Sequence, residues 1–134
     1  MARLDMTAGG ESEEELYRLY LESAQQDVAA LIELSRQVAA DPAQWAGAAE
    51  QMRAIVHNIK GQGASFGYPL MTRVGDSLTI LLKQAGSADD AVLKLVIAHI
   101  ETLHTVLDKD IKGGGGELGD TLAYRLESLV DKLV

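Results

Sequence analysis

Apolar side chains return every three or four residues along most of this chain, and that spacing constrains its fold more than any other feature. The clearest run is Met52, Ile55, Val56, Ile59, Gly63 and Phe66. At 100° per residue these fall within about a third of a helix circumference. Breaks between such runs are marked chemically. Ser12-x-x-Glu15 reads as a capping box opening a first helix that runs to about Ala40. Asp41-Pro42 supplies a stop, an N-cap and a proline at the first position of the second helix. Gly67 ends that helix and Tyr68-Pro69 begins a third, which finishes near Ala85-Gly86. Ser87-x-x-Asp90 caps a fourth, with Val92, Val96, Ile100, Leu103 and Leu107 along its centre.

The expected architecture is all-α, an antiparallel four-helix bundle with an additional C-terminal helix. Residues 1–11 read as a frayed tail, 12–112 as the bundle and 113–116 as a flexible four-glycine linker. Residues 117–134 form an amphipathic helix carrying Leu118, Leu122, Leu126, Leu129, Val130 and Leu133. It should pack on the bundle, because an isolated helix this short is marginal in water. Trp45 is expected to anchor packing, and Phe66, the only phenylalanine, to close the core at the end of the second helix.

A length of 134 residues suits one domain and leaves no room for a kinase catalytic domain as well. There are no cysteines, so disulfides and thiolate metal sites are excluded. A net charge of −8 argues against nucleic acid as a partner. No apolar run has the length of a membrane span and no signal-peptide core stands at the N-terminus, so a soluble, cytoplasmic protein is expected.

The chemistry lies on the polar side of the second helix. His57 is off the apolar stripe and shares a face with Arg53, Lys60, Gly61 and Ala64. Glycines at 61 and 63 each cost about 1 kcal/mol relative to alanine in a helix interior. Gly63 lies on the stripe and suits close packing. Gly61 lies one turn after the histidine, off the stripe, and leaves the ring open to a partner. Lys60 places an ammonium nearby. Between Arg53 and Lys83 the charged residues are Arg53, Lys60, Arg73 and Lys83 against Asp76 alone, a basic patch that would complement an acidic pocket. His99 and His104, five apart with no third ligand evident, read as packing or surface residues, so no metal is expected. The glycine-rich pieces lack the strand and the lysine-serine/threonine ending of a phosphate loop.

The run His57-Asn58-Ile59-Lys60-Gly61 with Ser65-Phe66-Gly67 closely resembles the signature of histidine-containing phosphotransfer (HPt) domains, best matched from Arg53 to Lys83. The resemblance implies phosphorylation of His57 on the ring nitrogen remote from the backbone, with Lys60 screening the phosphoryl oxygens and Gly61 clearing the approach. Arg53, Ala64, Arg73 and Lys83 would face the partner. It implies response-regulator receiver domains and a histidine kinase or hybrid kinase as partners. No cofactor of its own is expected, and Mg²⁺ would sit on the receiver. The family often carries Gln or Glu 22 residues after the histidine to hold the ring. Here that residue is Thr79, the candidate for ring orientation. A chemotaxis-kinase module usually has a second histidine 19 residues on, where this chain has Asp76. These departures favour a phosphorelay intermediate over the P1 module of a chemotaxis kinase. A non-catalytic helical adaptor is the reading from another class. No nucleotide-binding segment is evident, so autophosphorylation with ATP is not expected. The His-Glu…Pro pattern of dimerising kinase helices is missing, so a monomer is expected.

Overall fold

The computed structural model of the chain describes residues 9–134. Five helices follow one another: α1 Gly9–Ala40, α2 Trp45–Gly63, α3 Pro69–Gln84, α4 Asp90–Asp108 and α5 Gly116–Leu133. Two 3₁₀ turns, Pro42–Gln44 and Ala64–Phe66, flank α2. Helix α1 packs on α2 and α4, and α3 completes the ring by packing on the same two helices. Helix α5 lies outside that ring against α3 and α4. The all-α bundle with an extra C-terminal helix is therefore the fold.

The apolar spacing explains which faces meet. Met52, Val56 and Ile59 of α2 are buried together with Leu31 and Val38 of α1, Met71, Leu78 and Leu81 of α3 and Val96, Ile100 and Leu103 of α4. Fully burying side chains of this kind is worth about 1.5–3 kcal/mol each. Trp45 anchors the upper end, its indole N–H donating to the Ala85 carbonyl at 3.1 Å. At the lower end Phe66 stacks on Tyr20 with ring centres 4.5 Å apart.

Asp41 caps the turn before α2, its carboxylate accepting from the Ala43 N–H at 3.2 Å. The two capping boxes read from sequence are not the caps. Helix α1 is already under way at Gly9, which places Ser12 inside its first turn. The carboxylates of Glu13, Glu14 and Glu15 suit the positive end of a helix dipole there. Of the expected tail, residues 1–8 lie outside the described residues. Helix α4 is capped by Asp89 instead of Ser87, because Asp89 sits where extended backbone turns helical and its carboxylate accepts from the Val92 N–H at 3.0 Å.

Gly113–Gly116, expected as a flexible linker, takes a defined path. Gly113, Gly115 and Gly116 have φ of 65°, 75° and 64°, the left-handed region open to glycine. The Gly113 N–H donates to the Gly67 carbonyl at 2.9 Å. A Cβ on Gly119 would lie 2.2 Å from the Gly114 carbonyl oxygen, so α5 leaves this corner only because that position is bare. Asp110, just before the corner, accepts a hydrogen bond from the Tyr68 hydroxyl, and the Tyr17 hydroxyl lies within reach of both groups, its single hydrogen going to one of them at a time. Lys112 lies 4.4 Å from the centre of the Tyr17 ring. The Tyr68 hydroxyl and, secondarily, that of Tyr17 and the Lys112 charge hold the Asp110 carboxyl below its usual range. Burial, and then the bond to Asp110, pushes the Tyr68 phenol well up. The network ties α1, the α2–α3 turn and the α4–α5 corner together.

One polar pair is sealed in the core. His99 is fully buried, its Nδ1 2.7 Å from the Leu95 carbonyl and its Nε2 2.8 Å from the Ser77 hydroxyl. A carbonyl only accepts, so Nδ1 carries the hydrogen and the Ser77 hydroxyl donates to Nε2 of a neutral ring. Burial lowers the His99 pKa. The unfolded chain therefore binds more protons as pH falls below about 6.5, and stability drops by up to about 1.4 kcal/mol per pH unit there. Urea unfolding between about pH 7.5 and 5.5 should show that loss, and His99→Gln should flatten it. An acid limb equally steep in the variant would assign the loss to other groups.

Candidate functional site

Helix α2 carries the site because its inner stripe is satisfied by the core and its outer face is left in solvent. His57 is exposed, and among the described residues its ring has no hydrogen-bond partner. Gly61, one turn on, is exposed too, and a Cβ built there would meet nothing within 4 Å. Its missing side chain is not required by packing among the described residues. Gly63 is the opposite case: its Cβ would come 2.9 Å from the Met71 Cβ and 3.0 Å from the Tyr68 carbonyl oxygen. The two glycines therefore do different work, one permitting helix contact and the other leaving space outside.

Lys60 is not a free surface lysine. Its ammonium lies 3.2 Å from the Asp76 carboxylate on α3, and its side chain is only 23% exposed. Gly75 makes this possible. A Cβ on Gly75 would fall 2.6 Å from the Lys60 Cγ, so the lysine stem lies where a side chain of α3 would otherwise stand. Thr72 adds a hydrogen bond to the Lys60 carbonyl at 3.1 Å. Asp76 is 60% exposed, so the ion pair is solvent-screened and worth at most about 1 kcal/mol. It aims the ammonium without locking it.

Thr79 does not hold the ring. Its hydroxyl donates to the Gly75 carbonyl of its own helix at 2.9 Å. Arg73 is likewise committed elsewhere. Its guanidinium makes a two-pronged contact with Glu127 of α5 at 2.9 and 3.0 Å and reaches Asp120 at 2.9 Å. The hydrogen bond to Glu127 raises the Arg73 pKa, and the same bond lowers that of Glu127. Arg73 clamps α5 onto α3 and is not available as a docking cation. Arg53 is half-buried and Lys83 exposed, and neither makes an ion pair among the described residues. Ala64 is exposed on the 3₁₀ turn after α2.

Beside Gly61 a groove of about 340 Å³ opens between α1 and α2. Its walls include Leu16, Leu19, Tyr20, Gly61, Ser65 and Phe66, and Leu16 and Leu19 are largely exposed. The Tyr20 hydroxyl is buried with no hydrogen-bond partner among the described residues, and burial pushes its pKa up to about 12. Sequence reading missed this groove, Gly75 and the Asp76–Lys60 contact. Gly75 had a legible signal, a glycine inside a helix. Among the described residues no group of three or more His, Asp or Glu side chains is placed to hold a metal ion, and no helix is long and apolar enough to cross a membrane.

In this helical bundle His57 is exposed on α2, Lys60 on the next turn is paired with Asp76 of α3, and the bare Gly61 lies one turn from the ring. The Hpt domain profile matches residues 15–110, well over half of the chain, and the protein belongs to the Hpt domain family. It is thereby a phosphotransfer protein of two-component signalling. Comparison with curated proteins and with solved structures gave no match. Helix α5 lies beyond the matched segment.

The Arg73 geometry makes a prediction that separates it from its neighbours. Arg73→Gln should cost about 1 kcal/mol of stability through loss of the α5 clamp, discounted for solvent exposure. Its rate of phosphoryl transfer should match that of the native chain. A rate loss without a stability loss would return Arg73 to the docking surface.

Proposed function

We propose that this protein is a phosphorelay intermediate which accepts a phosphoryl group on His57 and passes it to a response regulator. The observation carrying this reading is the exposed His57 ring beside a glycine that packing among the described residues does not require. The donor is a phospho-aspartyl receiver domain or a kinase, in the cytoplasm. In the transfer, the lone pair of the His57 Nε2 attacks phosphorus from the side opposite the acyl oxygen. A P–N bond forms as the P–O bond to the receiver aspartate breaks, and that aspartate leaves as a carboxylate. The Nδ1 proton remains on the phosphorylated ring or is lost to solvent. Onward transfer reverses these bonds at another receiver.

Such a step needs alignment and charge neutralisation more than acid–base machinery. Lys60 supplies positive charge from this side. Its contact with Asp76 is weak enough to yield to a phosphoryl group carrying about two negative charges. Mg²⁺ belongs to the receiver in this scheme. The α1–α2 groove and the bare surface at Gly61 form the docking face, with Ala64 beside it and Arg53 further up the same helix, while Lys83 stands at the far end of α3, next to Trp45 and Ala85.

Incubation with a phosphorylated receiver and Mg²⁺ should give acid-labile, alkali-stable label on the chain. His57→Gln should keep the helicity and lose the label, and retained label would reject the assignment. Gly61→Leu should fold, even gaining helix propensity, yet slow transfer by obstructing approach. Lys60→Ala should slow transfer roughly tenfold, or about 1.4 kcal/mol, with little change in stability. An undiminished rate in either variant would remove that residue from the mechanism.

A further inference from the structure

The face made by α4 and α5, across the bundle from α2, holds a second and larger groove, of about 590 Å³. Its two walls differ. The α5 wall carries large apolar side chains, Leu118, Leu122 and Leu129, of which Leu118 is 69% and Leu129 45% exposed. The α4 wall is cut low, with Ala98, Thr102 and Thr105. Each wall also carries one charge, Glu101 on α4 and Arg125 on α5, and neither is in an ion pair among the described residues. The walls are therefore complementary to each other twice, in relief and in sign.

We propose that this groove is occupied by the same groove of a second copy, forming a homodimer. A two-fold axis lying in the interface has two simple orientations. Across the helices, it sets α4 on α4 and α5 on α5, so leucine meets leucine and Glu101 faces the other α4, away from either Arg125. Along the helices, it sets α4 on the α5 of the other copy, so leucines enter the low wall and Glu101 faces Arg125. Only the second uses both complementarities.

Height and direction agree with that arrangement. Glu101 stands seven residues before the end of α4 and Arg125 nine after the start of α5. These are about 10 and 14 Å from the shared corner at 1.5 Å per residue. Helices α4 and α5 are 19 and 18 residues long and run in opposite directions from that corner. In the dimer each helix then faces an antiparallel neighbour, the alternation of an up-and-down four-helix interface. The contact is isologous, as a closed dimer requires. A helix from a different protein could fill such a groove but would give no reason for the two walls to match each other. Helix α2 has no part in this face, so His57 of both copies stays accessible.

The test is sedimentation equilibrium on the full chain, with helicity checked by circular dichroism. A dimer is expected at about 0.1 mM. Leu122→Glu should weaken it at least tenfold while leaving transfer through His57 unchanged. Arg125→Glu and Glu101→Arg should each weaken it, and the double reversal should restore it. A monomer at that concentration overturns the proposal, including the case in which a helical peptide from another protein binds the groove. So does a dimer indifferent to Leu122→Glu, or one that the double reversal does not rescue.

Discussion

The contact between α2 and α3 is the constraint on which the site depends, and two glycines set it. Gly63 lets the end of α2 rest on the Met71 side chain and the Tyr68 backbone, and Gly75 opens a channel in α3 for the stem of Lys60. Alanine at 63 would press on the Met71 Cβ and the Tyr68 backbone and hold the helices apart, and alanine at 75 would push the Lys60 stem out of its channel. The approach then fixes the rest. It buries Met52, Val56 and Ile59 and turns His57 outward. It also delivers the Lys60 ammonium to Asp76, so its charge is held over α3 and not spread through solvent. Helix packing and charge placement are here one event.

Much of this was legible in the sequence, for a definite reason. A 3.6-residue repeat reports burial directly, so the helices, their order and the outward placement of His57 follow from spacing alone. Proline at the first helical position fixed the start of α3, whereas Pro42, read as the first position of the second helix, opens a 3₁₀ turn and α2 begins three residues later at Trp45. Serine caps were less informative, because Asp89 offers a carboxylate acceptor only two residues from Ser87 and local pattern does not rank the two. Charges were the least legible. Arg73 and Arg53 look alike in sequence, yet Arg73 meets two carboxylates 47 and 54 residues away. Such pairings are set by tertiary packing, and no window of sequence contains them.

That pairing reshapes the electrostatic account. Four cations against one acid became a narrower set, since Arg73 is neutralised by α5 and Lys60 is shared with Asp76. Helix α5, beyond the matched family segment, therefore does more than cover apolar surface. Its carboxylates remove a positive charge from α3, and its corner is held by Gly67 and by the Tyr68–Asp110 bond next to the end of α2. An added helix has been built into the same junction that ends the site helix.

The ring itself is left with unusual freedom. Thr79 spends its hydroxyl hydrogen on Gly75, and among the described residues nothing bonds to either nitrogen of His57. Restricting such a side chain costs less than about 2 kcal/mol of rotamer entropy, which the chain does not supply in advance. In-line attack nevertheless needs the nitrogen aligned with phosphorus. In the proposed relay, orientation would then come from the docked partner, through the surface around Gly61 and the α1–α2 groove. A receiver that docks out of register would leave the ring unaligned even with the phosphoryl group within reach. With no hydrogen bond to the ring among the described residues, the proposed relay would draw its selectivity from the docking face more than from the histidine.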